Sequence, residues 1–261
     1  MTRALAVWCE QYRVGRLWVF EGRWHFQYAS SWQNYPDAFF ISPHFQFQDA
    51  PFSDTPDDKR VEWFFENLLP EGGMREALAR QVRVSVQDSY ALLRRYGEEC
   101  AGALTLLAED ESIPSSSEYL PLSDEELRAC LQASPAKPLL ISSNHLRMSL
   151  AGVQNKLGVR IENDRFSLPV GAAASTHIIK PDNKNPQFPY CPANEYFCMR
   201  AALHSGLEVP KFELSEHGKF LIVERFDLNE KGYLGFEDFC VLNAWPSKAK
   251  YDGSYEGAAK Q

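Results

Sequence analysis

With 261 residues, 44% of them hydrophobic and 13% aromatic, the chain carries enough apolar material for one large or two small packed domains, which excludes a globally disordered polymer. Acidic residues outnumber basic ones by 35 to 27, and the net charge of -8 argues against the chain as a whole acting as a general nucleic-acid binder. The six cysteines, Cys9, Cys100, Cys130, Cys191, Cys198 and Cys240, form no C-x-x-C pair and do not cluster with the six histidines, so no zinc site is expected and reduced thiols are.

The N-terminus lacks the long apolar core of a signal peptide. No stretch approaches the roughly 20 apolar residues of a membrane span, so a soluble, cytoplasmic protein is expected. Over residues 4–47 apolar side chains recur at every second position: Leu5 and Val7, Leu17 and Val19, then Trp24, Phe26 and Tyr28. That alternation predicts a small antiparallel meander, with turns expected at Gly15 and Gly22. A loop rich in Pro, Asp and Ser follows over residues 49–58. Val61, Phe64, Phe65, Leu68 and Leu69 then follow the i, i+3, i+4, i+7, i+8 pattern of one buried helix face, stopped by Pro70 and the Gly72-Gly73 pair. Two further helical segments are predicted near residues 74–81 and 87–96, the second closed by Gly97 as a C-terminal stop.

Residues 109–118 are polar, with three serines in a row, and predict an exposed link. Ser123 followed by Glu126 has the spacing of a capping box, so a short helix should run to about Gln132. Pro135 and Pro138 break the chain again. These signals divide the chain into a β-rich segment over 1–108, a linker with a short helix over 109–139, and a second unit over 140–261. In that second unit Leu157, Val159, Ile161, Phe166 and Leu168 predict a hairpin turning at Asn163-Asp164. Residues 176–180 predict a short strand ended by Pro181, residues 192–205 a helix with Pro192 near its start and Gly206 past its end, and residues 219–226 another strand. Hairpin, lysine-bearing strand, helix and strands is the element order of a kinase small lobe, an α+β order that many other folds share.

Three places carry candidate chemistry. In Ser149-Leu150-Ala151-Gly152-Val153-Gln154-Asn155-Lys156, small residues let a backbone approach a phosphate and the final lysine adds positive charge. The Walker spacing is absent, and taken alone the stretch fits an ordinary tight turn between strands better than a phosphate loop. Lys180 closes an apolar strand and Glu195 lies in the next helix, the pair by which a kinase holds nucleotide phosphates. A solvated lysine at a sheet edge and a solvated acid in a first helical turn are the ordinary alternatives. The stretch Val223-Glu224-Arg225-Phe226-Asp227 comes where a kinase hinge would lie, although a core strand with Phe226 buried and Glu224 and Arg225 exposed fits its composition as well.

These segments are joined by Phe64-Phe65-Glu66-Asn67-Leu68-Leu69-Pro70-Glu71-Gly72, by Leu92-Leu93, by Gly97 with Gly102-Ala103-Leu104, and by Asn194-Glu195. In this combination and order, over nearly all of its length, the chain resembles the HipA family of serine/threonine kinases, toxins of bacterial type II toxin–antitoxin systems. The resemblance implies an α+β fold, a β-rich N-terminal subdomain followed by a protein-kinase-like small lobe, with the large helical lobe mostly missing. It implies ATP with Mg2+ as cosubstrate and phosphorylation of a protein serine, on a glutamyl-tRNA synthetase in the best-known members. It also implies a HipB-like DNA-binding antitoxin as partner, with no direct nucleic-acid binding and no membrane.

Carried over by residue, Ala151, Gly152, Val153, Gln154, Asn155 and Lys156 would cover the phosphates, Lys180 would bind them with Glu195 orienting it, and Glu224, Arg225 and Phe226 would line the adenine site. Ser149 resembles the family's autophosphorylated serine, where a phosphate would add about -1.5 to -2 charge and eject the loop. The family's Asp-x-His-x-Lys-Asn loop and its later metal-binding aspartate do not occur in these residues, and Asp227 and Asp252 stand in a different context. No catalytic or metal-ligating residue is therefore assigned, and no phosphoryl transfer is expected from a chain read as truncated before that loop. A non-catalytic module that binds nucleotide, antitoxin or a kinase partner remains the alternative from another class, and an inert, poorly folding remnant a third.

Overall fold

The computed structural model describes residues 4–98, 100, 103–113, 117–132, 156–171, 173–182, 188–229, 232–234 and 237–258. The alternation near the N-terminus forms β1 (Leu5–Cys9), β2 (Tyr12–Phe20) and β3 (Arg23–Tyr28), followed by the short helix α1 (Ser30–Gln33) and strand β4 (Phe52–Ser53). Helices α2 (Arg60–Glu66), α3 (Gly72–Val82) and α4 (Ser89–Tyr96) come next, and β5 (Leu104–Ala108) completes an antiparallel sheet of order β4-β3-β2-β1-β5. Leu5 faces Leu17, which faces Phe26, so the period-two apolar residues form one continuous row, and all three are buried. Val61, Phe64, Phe65, Leu78, Leu92 and Leu93 of the three helices close over that row. The carboxylate of Asp54 accepts the backbone N–H groups of Val61 (2.9 Å) and Glu62 (3.0 Å), satisfying donors that the start of α2 leaves open.

Two glycines serve a different purpose from the one their type suggests. Gly15 lies inside β2, and a Cβ there would sit 2.4 Å from the Gln27 carbonyl and 2.8 Å from the Phe26 ring. The turn between β1 and β2 is made at Glu10, with φ of 51°. Gly97 follows α4 in right-handed conformation, so it is no left-handed stop. It is needed because a Cβ would meet the Leu93 carbonyl at 2.5 Å and the Leu106 Cβ at 2.7 Å.

The second sheet uses β6 (Ser117–Pro121), β7 (Leu157–Glu162), β8 (Arg165–Gly171), β9 (His177–Pro181), β10 (Phe212–Leu214) and β11 (Phe220–Glu224) in the antiparallel order β10-β11-β9-β7-β8-β6. The end of the expected exposed link is thus an edge strand of this sheet. The β7–β8 hairpin turns at Asn163 and Asp164, both with positive φ (50° and 59°), the two-residue geometry that matches strand twist. Helix α5 (Asp124–Gln132) starts in the predicted capping box: Ser123 Oγ accepts from the Glu126 N–H (3.3 Å) and Glu126 Oε2 accepts from the Ser123 N–H (2.8 Å). It covers one sheet face, where Leu127 packs with Leu157, Val159 and Ile179. Helix α6 (Cys191–His204) covers the other, its Tyr196 ring edge-on to Phe212 at 5.4 Å.

A small hairpin of β12 (Leu228–Asn229) and β13 (Gly232–Tyr233) precedes helix α7 (Phe239–Leu242), a 3-10 turn at Ser247–Ala249 and helix α8 (Tyr255–Ala258). Residues 237–251 return to the first sheet's side of the molecule as a strap. Val241 joins the first core, His44 Nε2 donates to the Leu242 carbonyl (2.8 Å), and Asn67 Nδ2 donates to the Trp245 carbonyl (3.0 Å). The fold is α+β, built on two antiparallel sheets. Among the described residues no helix is long and apolar enough to cross a membrane.

Candidate functional site

The site follows from strand register. Strand β7 pairs antiparallel with β9, Leu157 facing Ile179, Gly158 facing Ile178 and Val159 facing His177. One step further along the same register, Lys156 falls opposite Lys180. Directly opposed residues of an antiparallel pair share a sheet face. Leu157 and Ile179 point to the α5 side, so both lysines point to the α6 side. Like charges facing each other destabilise a sheet, and α6 supplies an opposite charge: Lys180 Nζ hydrogen-bonds the Glu195 carboxylate. Asp182, just beyond β9, accepts from the first backbone N–H of α6 at Cys191 (3.1 Å) and fixes where that helix begins.

A third lysine arrives from the strap. Lys250 Nζ sits 2.8 Å from Asp238 Oδ2 and 3.0 Å from Glu71 Oε1, the latter residue immediately preceding α3. Burial works against the Lys250 charge, but the hydrogen bonds to Asp238 and Glu71 outweigh it and hold the ammonium above the ordinary lysine range. Lys156 has the opposite balance. Burial, then the positive charges of Lys180 and Lys250, push it down to about 8, with Glu195 and Glu71 only partly offsetting them. A partly buried cation beside two others is stabilised by an anion that enters among them. The facing pair Lys156 and Lys180, with Glu195 bonded to Lys180, therefore suits a phosphate-bearing ligand on the α6 face of the second sheet.

Residues 5–107 match the family model of the HipA N-terminal domain, and residues 148–261 match that of the HipA-like C-terminal domain. The chain belongs to the HipA family. It is 34% identical over 263 residues to the putative kinase Y4mE of Sinorhizobium fredii, covering 95% of this chain and 61% of that one. It is 29% identical over 202 residues to the serine/threonine-protein kinase toxin HipA of Shewanella oneidensis, covering 77% of this chain and 44% of that one. The chain thus spans about half the length of the curated relatives it matches. A solved complex of Shewanella oneidensis HipA with HipB and operator DNA shares the fold, with a TM-score of 0.70 over 98% of this chain and 60% of that chain, at 24% identity.

The positions that the HipA resemblance singled out fall into three groups. Lys156, Lys180 and Glu195 come together, as described. Ser149 and the stretch Ala151, Gly152, Val153, Gln154 and Asn155 lie outside the described residues. The segment from Glu224 to Phe226 is arranged differently from the simple strand considered above, because β11 ends at Glu224. Glu224 faces His177 on the α5 side and pairs with Lys211 at 3.1 Å. Arg225 is buried: its Nε donates to Asp227 Oδ1 (2.9 Å), Nη2 to Asp227 Oδ2, and Nη1 to Ser175 Oγ (2.9 Å). Its side chain is committed to bracing the chain. Phe226 is 61% exposed, so its ring lies at the surface.

A separate cleft of about 340 Å³ lies at the hairpin end of the sheet, lined by Ile161, Phe166, His177, Lys211 and Glu224 among others, and includes none of the three lysines. Sequence reasoning gave no role to Glu71, Asp238 or Lys250. Glu71 and Lys250 are 179 residues apart, and no local periodicity reports such a pair.

Proposed function

We propose that this HipA-family chain supplies the ATP-binding part of a serine/threonine protein kinase toxin, its second sheet with α6 serving as a kinase-like small lobe. The observation that carries this reading is the placement of Lys156 and Lys180 on one sheet face, with Glu195 of α6 bonded to Lys180. In this reading Lys180 holds the nucleotide phosphates and Glu195 orients it, as a strand lysine and helix glutamate do in kinases. Lys156 and the stretch from Ala151 to Asn155 close over the same phosphates. The backbone of Glu224 to Phe226 and the Phe226 ring line the adenine side. Ser149 is the proposed autophosphorylation site, a HipB-like antitoxin the proposed partner, an aminoacyl-tRNA synthetase such as the glutamyl enzyme the proposed substrate, and the cytoplasm the proposed location.

The cation pair fits the phosphates of ATP. Among the described residues no group of three or more His, Cys, Asp or Glu side chains is placed to hold a metal ion, and no residue is assigned to magnesium. When bound, magnesium would neutralise negative charge on the phosphate oxygens. No Asp-x-His-x-Lys-Asn sequence occurs among the 261 residues, so the role assigned to them is binding and orienting the nucleotide, without phosphoryl transfer on their own.

Thermal unfolding with and without ATP tests the reading. ATP at about 100 times its dissociation constant should stabilise the chain by about 2.7 kcal/mol. Lys180→Ala should lose that response. An unchanged melting temperature in the native chain, or an equal shift in the variant, would remove the nucleotide assignment.

A further inference from the structure

The cleft at the hairpin end of the second sheet lies on the face opposite the lysine pair. Helix α5 covers part of that face, where Leu127 packs on Leu157, Val159 and Ile179. Strand register carries the same face onward. Val159 faces His177, His177 faces Glu224, Glu213 faces Ile222 and Ile161 faces Phe166, and the two-residue alternation puts all of these side chains on the α5 side. Beyond the contacts of Leu127, the side chains from His177 and Glu224 to Ile161 and Phe166 line a cleft of about 340 Å³, within the size range of small-ligand sites.

The lining divides by chemistry. Ile161, Phe166 and Ile222 form an apolar floor, each only partly buried. Three carboxylates, of Asp164, Glu213 and Glu224, stand around it against one ammonium, that of Lys211. Lys211 Nζ pairs with Glu224 at 3.1 Å, but its side chain is 86% exposed, so the contact is solvated and easily displaced. Asp164 and Glu213 have no ion-pair partner among the described residues. His177 adds no charge at neutral pH, because burial holds its ring below the ordinary histidine range. Its Nδ1 lies 2.8 Å from Thr176 Oγ1, and its Nε2 has no hydrogen-bond partner among the described residues.

An anionic ligand would meet an excess of carboxylates here, and a wholly apolar one would gain nothing from them. A cation on an apolar stem uses both parts of the lining. We propose that this cleft binds an organic cation, an ammonium or guanidinium group carried on an apolar stem, with the stem on Ile161, Phe166 and Ile222 and the head at Glu213 and Glu224. A free amine and a lysine or arginine side chain of a peptide both offer that chemistry. The site lies on the opposite face from Lys156 and Lys180 and does not depend on the nucleotide reading. Lys211 is a built-in competitor, whose ammonium occupies Glu224 until the ligand's cation displaces it.

Isothermal titration of the 261-residue chain tests it with three probes: phenylbutylamine, phenylbutyrate, which has a comparable stem and the opposite charge, and a blocked phenylalanyl-arginine dipeptide. The amine should bind at least about tenfold more tightly than the carboxylate. Glu213→Gln, at an exposed position, should weaken the tighter-binding cation about threefold, and Lys211→Met should tighten it by about the same factor because the competing ammonium is gone. Opposite responses to two exposed substitutions are a result that a merely structural effect would not give. A dipeptide that binds more tightly than the amine assigns the cation to a peptide partner, and the reverse order assigns it to a free amine; either supports the site. No binding of amine or dipeptide, equal binding of amine and carboxylate, or cation binding that either substitution leaves unchanged overturns the proposal.

Discussion

Replacing Lys156 with methionine is expected to stabilise the ligand-free chain at neutral pH and at the same time to abolish its response to ATP. Burial and the two neighbouring lysines push the Lys156 ammonium from the usual 10.5 down to about 8. A shift of that size corresponds to a folding penalty of about 3 kcal/mol while the group is charged in both states. The sign of its pH dependence is fixed. The folded chain releases this proton near pH 8 and the unfolded chain near pH 10.5, so between those values the unfolded state binds more protons and stability rises with pH. Below pH 8 the penalty is complete. The melting temperature of Lys156→Met should therefore exceed that of the native chain most at neutral pH, and the difference should shrink as pH approaches about 10. With ATP present the order should reverse, because only the native chain gains from the anion. A variant that melts lower than the native chain at neutral pH, or that keeps its ATP response, would show that Lys156 is a structural residue.

The second large effect is structural. Arg225→Met is expected to cost about 3–5 kcal/mol in urea unfolding, because it leaves the Asp227 carboxylate buried without its partner. The side chains of Arg225 and Asp227 are only 2% and 8% exposed, and Ser175, which takes the third contact, is fully buried. This bracket ties the end of β11 to the segment that leads into β9, the strand that carries Lys180. Replacing both partners with apolar residues should recover most of the loss, since removal of a whole buried pair is often nearly neutral. A loss below about 1 kcal/mol in the single variant would mean that the pair is hydrated and the bracket is not structural.

Local signals made much of the second sheet legible. The Asn163-Asp164 turn, the Ser123–Glu126 capping box and the Pro192-to-Gly206 limits of α6 each depend on residues within a few positions of one another. The glycines misled for a physical reason. Glycine answers two needs, positive φ and close approach, and only the Gln27 carbonyl beside Gly15 or the Leu106 side chain beside Gly97 shows which one applies. Strand β6 had no apolar alternation to betray it, because Ser117, Glu118, Leu120 and Pro121 are all exposed at the sheet edge.

At the site, the order of Lys180 and Glu195 along the chain was enough to suggest a pair. The opposition of Lys156 and Lys180 is a matter of register, which a sequence states only once the pairing of β7 with β9 is known. Arg225 and Phe226 reverse the burial expected of a continuing strand, because β11 stops one residue earlier and Arg225 turns inward to Asp227. The Glu71–Lys250 contact joins residues 179 positions apart, and nothing local encodes it.

The central claim, that Lys156 and Lys180 border a single phosphate site, is open to covalent test. An ATP derivative carrying an activated acyl group on its terminal phosphate transfers that group to lysine amines lying beside the bound phosphates. Peptide mapping of the labelled chain should find acylated Lys156 or Lys180, with the label suppressed by excess ATP. Acylation confined to lysines away from the α6 face of the second sheet, or acylation indifferent to excess ATP, would contradict the account.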